Sequence, residues 1–587
     1  MPTKDTIRKT IIIIQFALLL STGLWGETFL SVDLEQPVYL LLEMAEMKGI
    51  ISRLTQVRPY SRSQVLRLLE EIKQHENSLT TIERDILHKE LEKYRPRNRE
   101  ISVWNIIQNG KVHLNNEPEA LFPMAFGSRF DFEFRTDLNA GNIHSTNMME
   151  WFMQGDVSRF LSYDIRVGVG VNDITIDAFA PFDYTKVADG YYIETSGLGG
   201  GGLSDGNGEG GSFNILINPE LATSFLDNRL TLKWHRHRRD MGNGHGNLTV
   251  SKTARPYDGI DFTLRPAKWF NAYYSVGALG NWFDGSVGSA DENLDKVLDP
   301  DELIDQKMLT TQLFELMLTD WLYLAVNNSI VWGKRFEISY MNPFLLPLLA
   351  QNLTGDHDNG SMEFSFAVKF PLGIKLYGSY FADEIRVSEN MFKDPAITFA
   401  FQAGIRWIIP KLPFTMASFQ YTKIEPYTYT HYAQRYYFSD STYYFDINWS
   451  NDNENLGYHL PPNSDEFLFK VQSLPYRNLS AYIQYQHIRH GDGIYEEGEM
   501  EGSIDSGGIG GEKAHAYNNT GEKDFLNDGI YEKIHIVTIG ASYELEKLPL
   551  SFEADYTFVQ AENFRNITGN SKTQNILGLK IHIFPGN

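Results

Sequence analysis

From Ile534 to Gln560 the chain alternates apolar and polar residues through two successive runs, and this period constrains the fold more than any other feature. In the second run Leu550, Phe552, Ala554, Tyr556 and Phe558 fall on one face, with Ser551, Glu553, Asp555 and Thr557 on the other. In the first, Val537, Ile539, Ala541, Tyr543 and Leu545 stand against Thr538, Gly540, Ser542 and Glu544. Successive side chains of a strand point to opposite faces, so both runs are strands with one apolar and one hydrophilic face. A soluble sandwich also buries one face, but it rarely puts carboxylates at two successive inward positions of one long strand. A transmembrane barrel does, because lipid wets its outside and water its inside.

The unit recurs around short turns: Phe370–Gly373, Lys411-Leu412-Pro413, Leu474-Pro475-Tyr476 and Arg265-Pro266-Ala267-Lys268 each separate two alternating runs. Proline suits such turns because it presets φ and has no N–H for a central ladder. At Arg129–Arg135 the residues Phe130, Phe132 and Phe134 face lipid, while Arg129, Asp131, Glu133 and Arg135 face water. Tyr163, Ile165, Val167, Val169 and Val171 repeat this against Asp164, Arg166, Gly168 and Gly170. A charge on the lipid face near the midplane costs about 2–4 kcal/mol, which explains the segregation. Alternating runs from Gly127 to Phe584 number about eighteen. The long connections, near 173–212, 238–257, 282–309, 334–360, 425–463 and 490–533, then all follow odd-numbered strands. That parity predicts an antiparallel outer-membrane β-barrel with a turn side and a loop side. The final strand, Asn575 to Phe584, ends in an aromatic, as barrel-insertion signals do, although Pro585-Gly586-Asn587 trail it.

Four segments follow from this reading. Residues 1–26 carry Lys4, Arg8 and Lys9 before an apolar core from Ile11 to Leu20 and a small residue, Gly26, which is the pattern of a secretory signal peptide. Residues 27–100 are predicted helical: Pro37 opens one helix and Gly49 stops it, and Ser61–Gln64 and Thr80–Glu83 have capping-box spacing. Three short helices make a marginal core alone, so they are expected in the periplasm, packed on the turn side of the barrel. A wall-binding module similar to S-layer homology repeats is the alternative. Residues 101–126 form a linker, and 127–587 form the barrel.

Composition closes off several functions. The net charge of -23 argues against nucleic acid and reads as a solvated acidic surface. With no cysteine there is no disulfide, thiolate metal site or cysteine nucleophile. No nucleophile elbow, zinc-protease signature or persuasive Ser/His/acid grouping is present, so no enzymatic activity is expected. His235 and His237 lie on one strand face with Asp240 and His245 nearby, but Arg236, Arg238 and Arg239 repel a cation, which favours a basic ring lining a polar lumen over a metal site. No resident cofactor is expected. Calcium is the one candidate: Asp291, Asn293, Asp295, Asp299 and Glu302 match oxygen positions of a calcium loop, though Lys296 replaces its turn glycine. A solvated acidic fringe is the default for that stretch. Gly199–Gly211 is a flexible loop without the lysine of a phosphate cradle. Aromatics crowd the loops at Trp282, Tyr427, Tyr429, His431 and Trp449, a chemistry shared by glycan-stacking platforms and interfacial girdles.

Four stretches resemble the capsule assembly Wzi family of outer-membrane barrels: Gly244–Ile260 with its Ala-Arg-Pro-Tyr-Asp-Gly-Ile end, Asp356–Asn359 through Leu376-Tyr-Gly to Asp383-Glu384, Glu425–His431, and Asn455–Asp465. Gly49-Ile-Ile and Arg58-Pro-Tyr-Ser-Arg also fit that family's helical region. Tyr458-His459 and Pro462, where the family has His-Pro and Gly, mark a divergent member. The resemblance implies about eighteen strands plugged by periplasmic helices, and a lectin-like protein holding capsular polysaccharide at the cell surface. The implied partners are that polysaccharide, outer-membrane lipid and the barrel-insertion machinery, with the protein a monomer. Candidate glycan contacts are Trp234, Arg236, Arg238, Asp240, Asn243, His245, Arg255, Trp282, Tyr427, Tyr429, His431, Asn463 and Asp465. An acidic exterior suits a neutral or basic polymer, or one bridged by calcium. A porin or solute channel, and a surface adhesin, are the alternative functions.

Overall fold

The computed structural model describes residues 28–95, 111–114, 124–174, 203–204, 210–280, 307–491 and 525–583. Short breaks fall at 140, 142, 158–160, 227, 334–336, 356–357, 385–391, 393, 395–396, 432–433, 439–440, 446, 452–453, 527–529 and 547. The signal peptide, Trp282, the candidate calcium loop and most of the glycine-rich loop lie outside the described residues.

Eighteen long antiparallel strands close into one barrel, and two short ones, Lys111–Leu114 and Leu203–Ser204, pair alongside them. The long strands are β1 Met124–Asp137, β2 Ile143–Val157, β3 Leu161–Ile174, β4 Gly210–Phe225, β5 Leu230–His237, β6 Tyr257–Ala267, β7 Phe270–Leu279, β8 Lys307–Leu316 and β9 Leu322–Gly333. They continue as β10 Asn359–Phe370, β11 Ile374–Glu384, β12 Thr398–Ile408, β13 Thr415–Ile424, β14 Ser464–Tyr476, β15 Leu479–His490, β16 Glu532–Glu544, β17 Leu550–Glu562 and β18 Ser571–Ile583. Closure pairs β18 with β1, in register from Ile583↔Phe130 to Ile576↔Asp137. No connection after an even-numbered strand exceeds six residues, and every longer one follows an odd strand. The parity expected from the alternation therefore holds.

The two faces separate as the pattern predicts. Ile165, Val167, Ile217, Phe364, Phe366, Phe469 and Ile539 are exposed on the outer wall, whereas Asp131, Glu150, Asp164, Glu220, Asp261, Glu315 and Glu363 are buried within it. At the turn end an exposed apolar girdle forms from Phe225, Trp269, Trp321, Phe370, Trp407, Tyr476 and Tyr543, the arrangement of residues that meet a headgroup layer. No described helix is long and apolar enough to cross a membrane.

Three helices, α1 Val38–Met47, α2 Arg62–Gln74 and α3 Thr81–Tyr94, precede the barrel. Gly49, at φ 71°, takes the left-handed turn that ends α1. Thr80 and Glu83 form a full capping box, while Ser61 accepts a bond from the Gln64 amide alone. The helices' buried face is completed by the barrel: Ile408, Phe414, Met416 and Leu474, from the turn end of β12–β14, join Leu41, Leu42, Leu69, Ile72 and Leu87 in one core. Lys89 pairs with Glu544 at 2.6 Å, and Arg477 reaches Asp85 at 3.3 Å. The helices thus seat against the turn end. A fourth helix, α4 Pro347–Thr354, lies in the connection between β9 and β10.

Phe414, fully buried in this shared core, gives the seat a direct test. Phe414→Ala removes a buried aromatic worth about 3–5 kcal/mol. Limited proteolysis of the full protein should then cleave residues 28–95 at least tenfold faster, while the barrel keeps its heat-modifiable migration in electrophoresis.

Candidate functional site: a plugged lumen with a basic chamber

The inner wall carries carboxylates, and the N-terminal segment runs along them. The Thr28 amide and hydroxyl reach Asp156 at 3.2 and 3.0 Å, and the Ser31 amide and hydroxyl reach Glu220 at 3.0 and 2.7 Å. The Gln56 amide donates to Glu315 at 2.7 Å, and the Thr55 hydroxyl donates to the same carboxylate. Arg53 pairs with Glu46 at 3.0 Å and caps the Trp321 and Ala367 carbonyls of the wall at 2.6 and 3.1 Å. On α1, Glu43 faces Arg406, with Lys375 3.3 Å away. Burial pushes the Glu43 carboxyl up, but Arg406 and then Lys375 outweigh it and hold it down at about 2.

Two loop-side connections also turn into the lumen. Strand β5 has 8 residues where its neighbour β4 has 16. The chain therefore leaves the wall at His237 and rejoins it at Tyr257. Between them Met241 and Asp240 pair with Val57 and Arg58 as a two-stranded sheet, and Arg58 binds Asp240 at 2.7 Å. Gly244 permits this path, because a Cβ there would lie 2.0 Å from the Gln402 side chain. Arg239 locks the exit: it binds Asp261 at 3.0 Å and the Tyr257 carbonyl at 3.0 Å, and stacks 4.2 Å over the Tyr257 ring. The connection 425–463 packs beside this loop. Leu248, Val250, Tyr429, Ile447, Trp449, Leu456 and Tyr458 share one buried core, and the Trp449 indole donates to the Thr249 carbonyl at 2.7 Å. Burial holds His459 down at about 3 and holds His245 well below its ordinary range, with Arg406 and Lys470 adding to the latter, so both imidazoles are neutral.

Between the plug and strands β1–β5 lies a cavity of about 140 Å³. The plug contributes Ser31, Asp33, Glu35, Arg62, Lys93 and Tyr94, and the wall contributes Arg129, Glu150, Gln154, Arg166 and Asn218. Arg236, His237, Arg238 and Pro256 complete it where the chain leaves the wall. Six cationic side chains thus face three carboxylates, inside a protein whose net charge is -23. Three of the cations carry a further carboxylate behind them: Asp131 holds Arg129 at 2.9 Å, Asp164 holds Arg166 at 2.7 Å and Asp258 holds Arg236 at 2.7 Å. Guanidinium forks and amides in such an enclosure match ligands rich in hydroxyl and carboxylate oxygens.

The predicted contacts divide sharply. Arg236 and Arg238 line the chamber. Trp234 does not: it is 60% exposed on the outer wall, because it shares the parity of the lipid-facing Leu232. Asp240 is spent on Arg58 and on Asn247 at 2.5 Å, and Asn243 is buried in the same in-turned loop, where His245 donates its amide to Gln420 at 2.8 Å. The Arg255 carbonyl accepts from Asn451 at 3.2 Å in the packing of the two loops. Tyr427, Tyr429 and His431 are buried, and the Tyr429 hydroxyl donates to the Leu248 carbonyl at 2.7 Å. That ring packs within the plug and offers no open face for stacking. Asn463 receives the Leu526 amide at 3.0 Å, and Asp465 is gripped by Arg489 and Tyr421, so both hold the barrel rim. His235 and His237 take separate carboxylates, Asp261 at 2.7 Å and Glu220 at 3.1 Å. Among the described residues no group of three or more His, Asp or Glu side chains is set to hold a metal. The alternation had already turned Arg129 and Arg166 inward. Arg62 and Lys93 had no such signal, since no local pattern tells which helical face meets a lumen.

No protein-family model matches the chain, and no curated protein matches it in sequence. Solved structures do. The chain is similar to Wzi of Escherichia coli, an outer-membrane protein involved in group 1 capsule assembly and described as a carbohydrate-binding β-barrel: TM-score 0.55, 11% identity, covering 94% of this chain and 99% of that one. More distant are OprD of Pseudomonas aeruginosa, at TM-score 0.40 and 9% identity over 78% of this chain and 94% of that one, and OccAB2 of Acinetobacter baumannii, at 0.40 and 10% over 79% and 97%. With its apolar outer wall, the chain is an outer-membrane β-barrel of the Wzi architecture.

The Glu43 pairs set an acid limit on the plug. A carboxyl depressed in the folded state contributes stability that is present above its unfolded value of 4.5 and is lost as pH falls toward 2. Hydrogen exchange of α1 should rise through that window with the barrel strands still protected. Glu43→Gln should remove this acid step and loosen α1 already at pH 7, because Arg406 and Lys375 are then left buried with a partner lost, at about 3–5 kcal/mol.

Proposed function

We propose that the protein holds an exported polysaccharide at the cell surface, as a plugged barrel with its loop end outward and its helices in the periplasm. The carrying observation is the filled lumen: three helices close its turn end, the N-terminal segment, Thr55-Gln56 and an in-turned loop are fastened to inner-wall carboxylates, and the space left is a chamber lined by charged and amide side chains. A diffusion channel needs a continuous aqueous path, which this packing opposes. A binding protein needs a fixed, hydrogen-bonding recess, which it supplies. The Escherichia coli barrel of like fold is described as carbohydrate-binding, and that supports the same reading. The role is a non-catalytic one, carried out by a monomer delivered to the membrane by the barrel-insertion machinery.

The recess carries six cations, but its own three carboxylates and the Asp131, Asp164 and Asp258 partners of Arg129, Arg166 and Arg236 balance them, so a neutral, hydroxyl-rich polymer fits there as well as a charged one.

A deletion strain should release polymer into the medium with total synthesis unchanged. Complementation with Arg166→Gln plus Arg238→Gln should restore cell-attached polymer several-fold less well than the natural chain, whereas Trp234→Ala should restore it fully. In planar bilayers the purified protein should show no steady conductance. Sustained open-channel current with unaltered polymer attachment would instead establish the porin reading.

A further inference from the structure

Residues 338–355, from Ile338 to Gly355, contain no Asp, Glu, Lys or Arg. At the chain-wide charged fraction of 22% a stretch of this length would hold about four. It is part of a loop-side connection, where exposed polar sequence is the rule, and it does not enter the lumen.

The segment lies on the outer wall. Along β9, Leu324 and Val326 are exposed outward, and Asn328, Ile330 and Trp332, which share their parity, are buried. What covers them is this strap: Ile330, Trp332, Tyr340 and Ala350 form one buried cluster, with Met308 and Leu345 packed on it. Polar groups of wall and strap satisfy one another. Asn328 accepts from the Leu348 amide at 3.0 Å, Gln312 donates to the Pro343 carbonyl at 2.6 Å, and the Tyr274 hydroxyl donates to the Tyr340 carbonyl at 2.7 Å. Further strap amides are met locally: those of Tyr340, Met341, Asn342 and Leu345 by backbone carbonyls, those of Ser339 and Phe344 by the Glu337 and Asn342 side chains, and others within α4. Gly360 on β10 makes room, since a Cβ there would lie 2.4 Å from Leu348.

The outward side of the strap is mainly apolar, and its two exposed amides are engaged locally, Asn342 by the Phe344 amide and Asn352 by the Leu348 carbonyl. Ile338, Phe344, Leu349 and Leu353 are 70, 88, 54 and 76% exposed. This face continues the lipid-facing band of the wall directly below it, where Phe364 and Phe366 on β10 are exposed. Non-helical backbone at membrane depth is tolerated when its polar groups are paired with protein, and an uncharged helix with leucines on its outer side suits the acyl boundary. We infer that residues 338–355 are a membrane-embedded strap, seated among the acyl chains of the loop-end leaflet. It shields Gln312, Asn328 and Tyr274 from lipid and fixes the depth of that side of the barrel. This inference rests on the barrel and its outer wall, and is independent of any glycan.

The chain has no cysteine, so single labels are unambiguous. Phe344→Cys, Leu349→Cys and Leu353→Cys in the full protein, reconstituted in phospholipid vesicles, would each carry a nitroxide. Phe366→Cys on the lipid-facing wall and Thr568→Cys in an exposed turn are the references, and heat-modifiability confirms that each barrel is folded. Power saturation should give strap labels an oxygen-to-nickel-chelate accessibility ratio within twofold of Phe366→Cys and at least fivefold above Thr568→Cys. Ratios equal to Thr568→Cys would place the strap in water and overturn the inference. Protection from both relaxants at all three positions would overturn it too, by showing a second protein surface covering the strap.

Discussion

Hydrocarbon offers a backbone amide no hydrogen-bond partner, and this requirement governs the whole structure. It selects a closed sheet, because an open one would leave two unpaired edges in lipid. It explains the junction at β18 and β1, where the last strand completes the first. It also accounts for proline at the turns between β10 and β11 and between β12 and β13, where no ladder partner is missed. Where the wall departs from simple pairing, the freed groups are met by protein: the in-turned 238–256 loop pairs with Val57 and Arg58, and the outer strap bonds to Gln312, Asn328 and Tyr274.

The inner wall solves a second problem with charge. A lumen of this width must be filled by water or by protein, and the carboxylates of β2, β4, β6, β8 and β10 take part in filling it with protein. Asp156 and Glu220 hold the N-terminal segment, Glu315 holds Thr55 and Gln56, and Glu363 accepts from Thr249. Part of the acidity that reads as solubility in the composition is therefore fastening. Breaking a buried, satisfied charge pair costs more than an exposed one contributes, so the plug is firm for reasons that net charge does not reveal.

The wall was legible in the sequence because a strand's environment repeats every second residue and lipid enforces the repeat. Phe130, Phe132 and Phe134 announce their face without any tertiary information, and so do Arg129 and Arg166. The three helices were legible through Pro37, Gly49 and the Thr80–Glu83 box, whose geometry is local. The lumen was not. Whether a connection turns outward or inward depends on partners far along the chain: Tyr429 is buried because Leu248, 181 residues away, accepts its hydroxyl. An aromatic-rich loop reads alike as a glycan platform or as the core of a plug. Trp234 shows the converse, since its proximity in sequence to Arg236 and Arg238 hides that it belongs to the opposite face. The glycines at 242, 244 and 246 were the local clue to an inward path.

The chamber has no single owner. Arg129, Arg166 and Asn218 belong to the wall, whereas Arg62, Lys93 and Asp33 belong to the plug. A ligand that spans both sets binds the plugged state and has no complete site in an unplugged one. By mass action such a ligand stabilises the closed barrel, by about 2.7 kcal/mol at a concentration of 100 Kd. Binding and closure are thus coupled for any such ligand: the more firmly it is held, the more firmly the lumen is shut. A solute channel would need the opposite sign, with its ligand favouring an open path. The seam between plug and wall therefore bears on ligand binding as directly as the lining does.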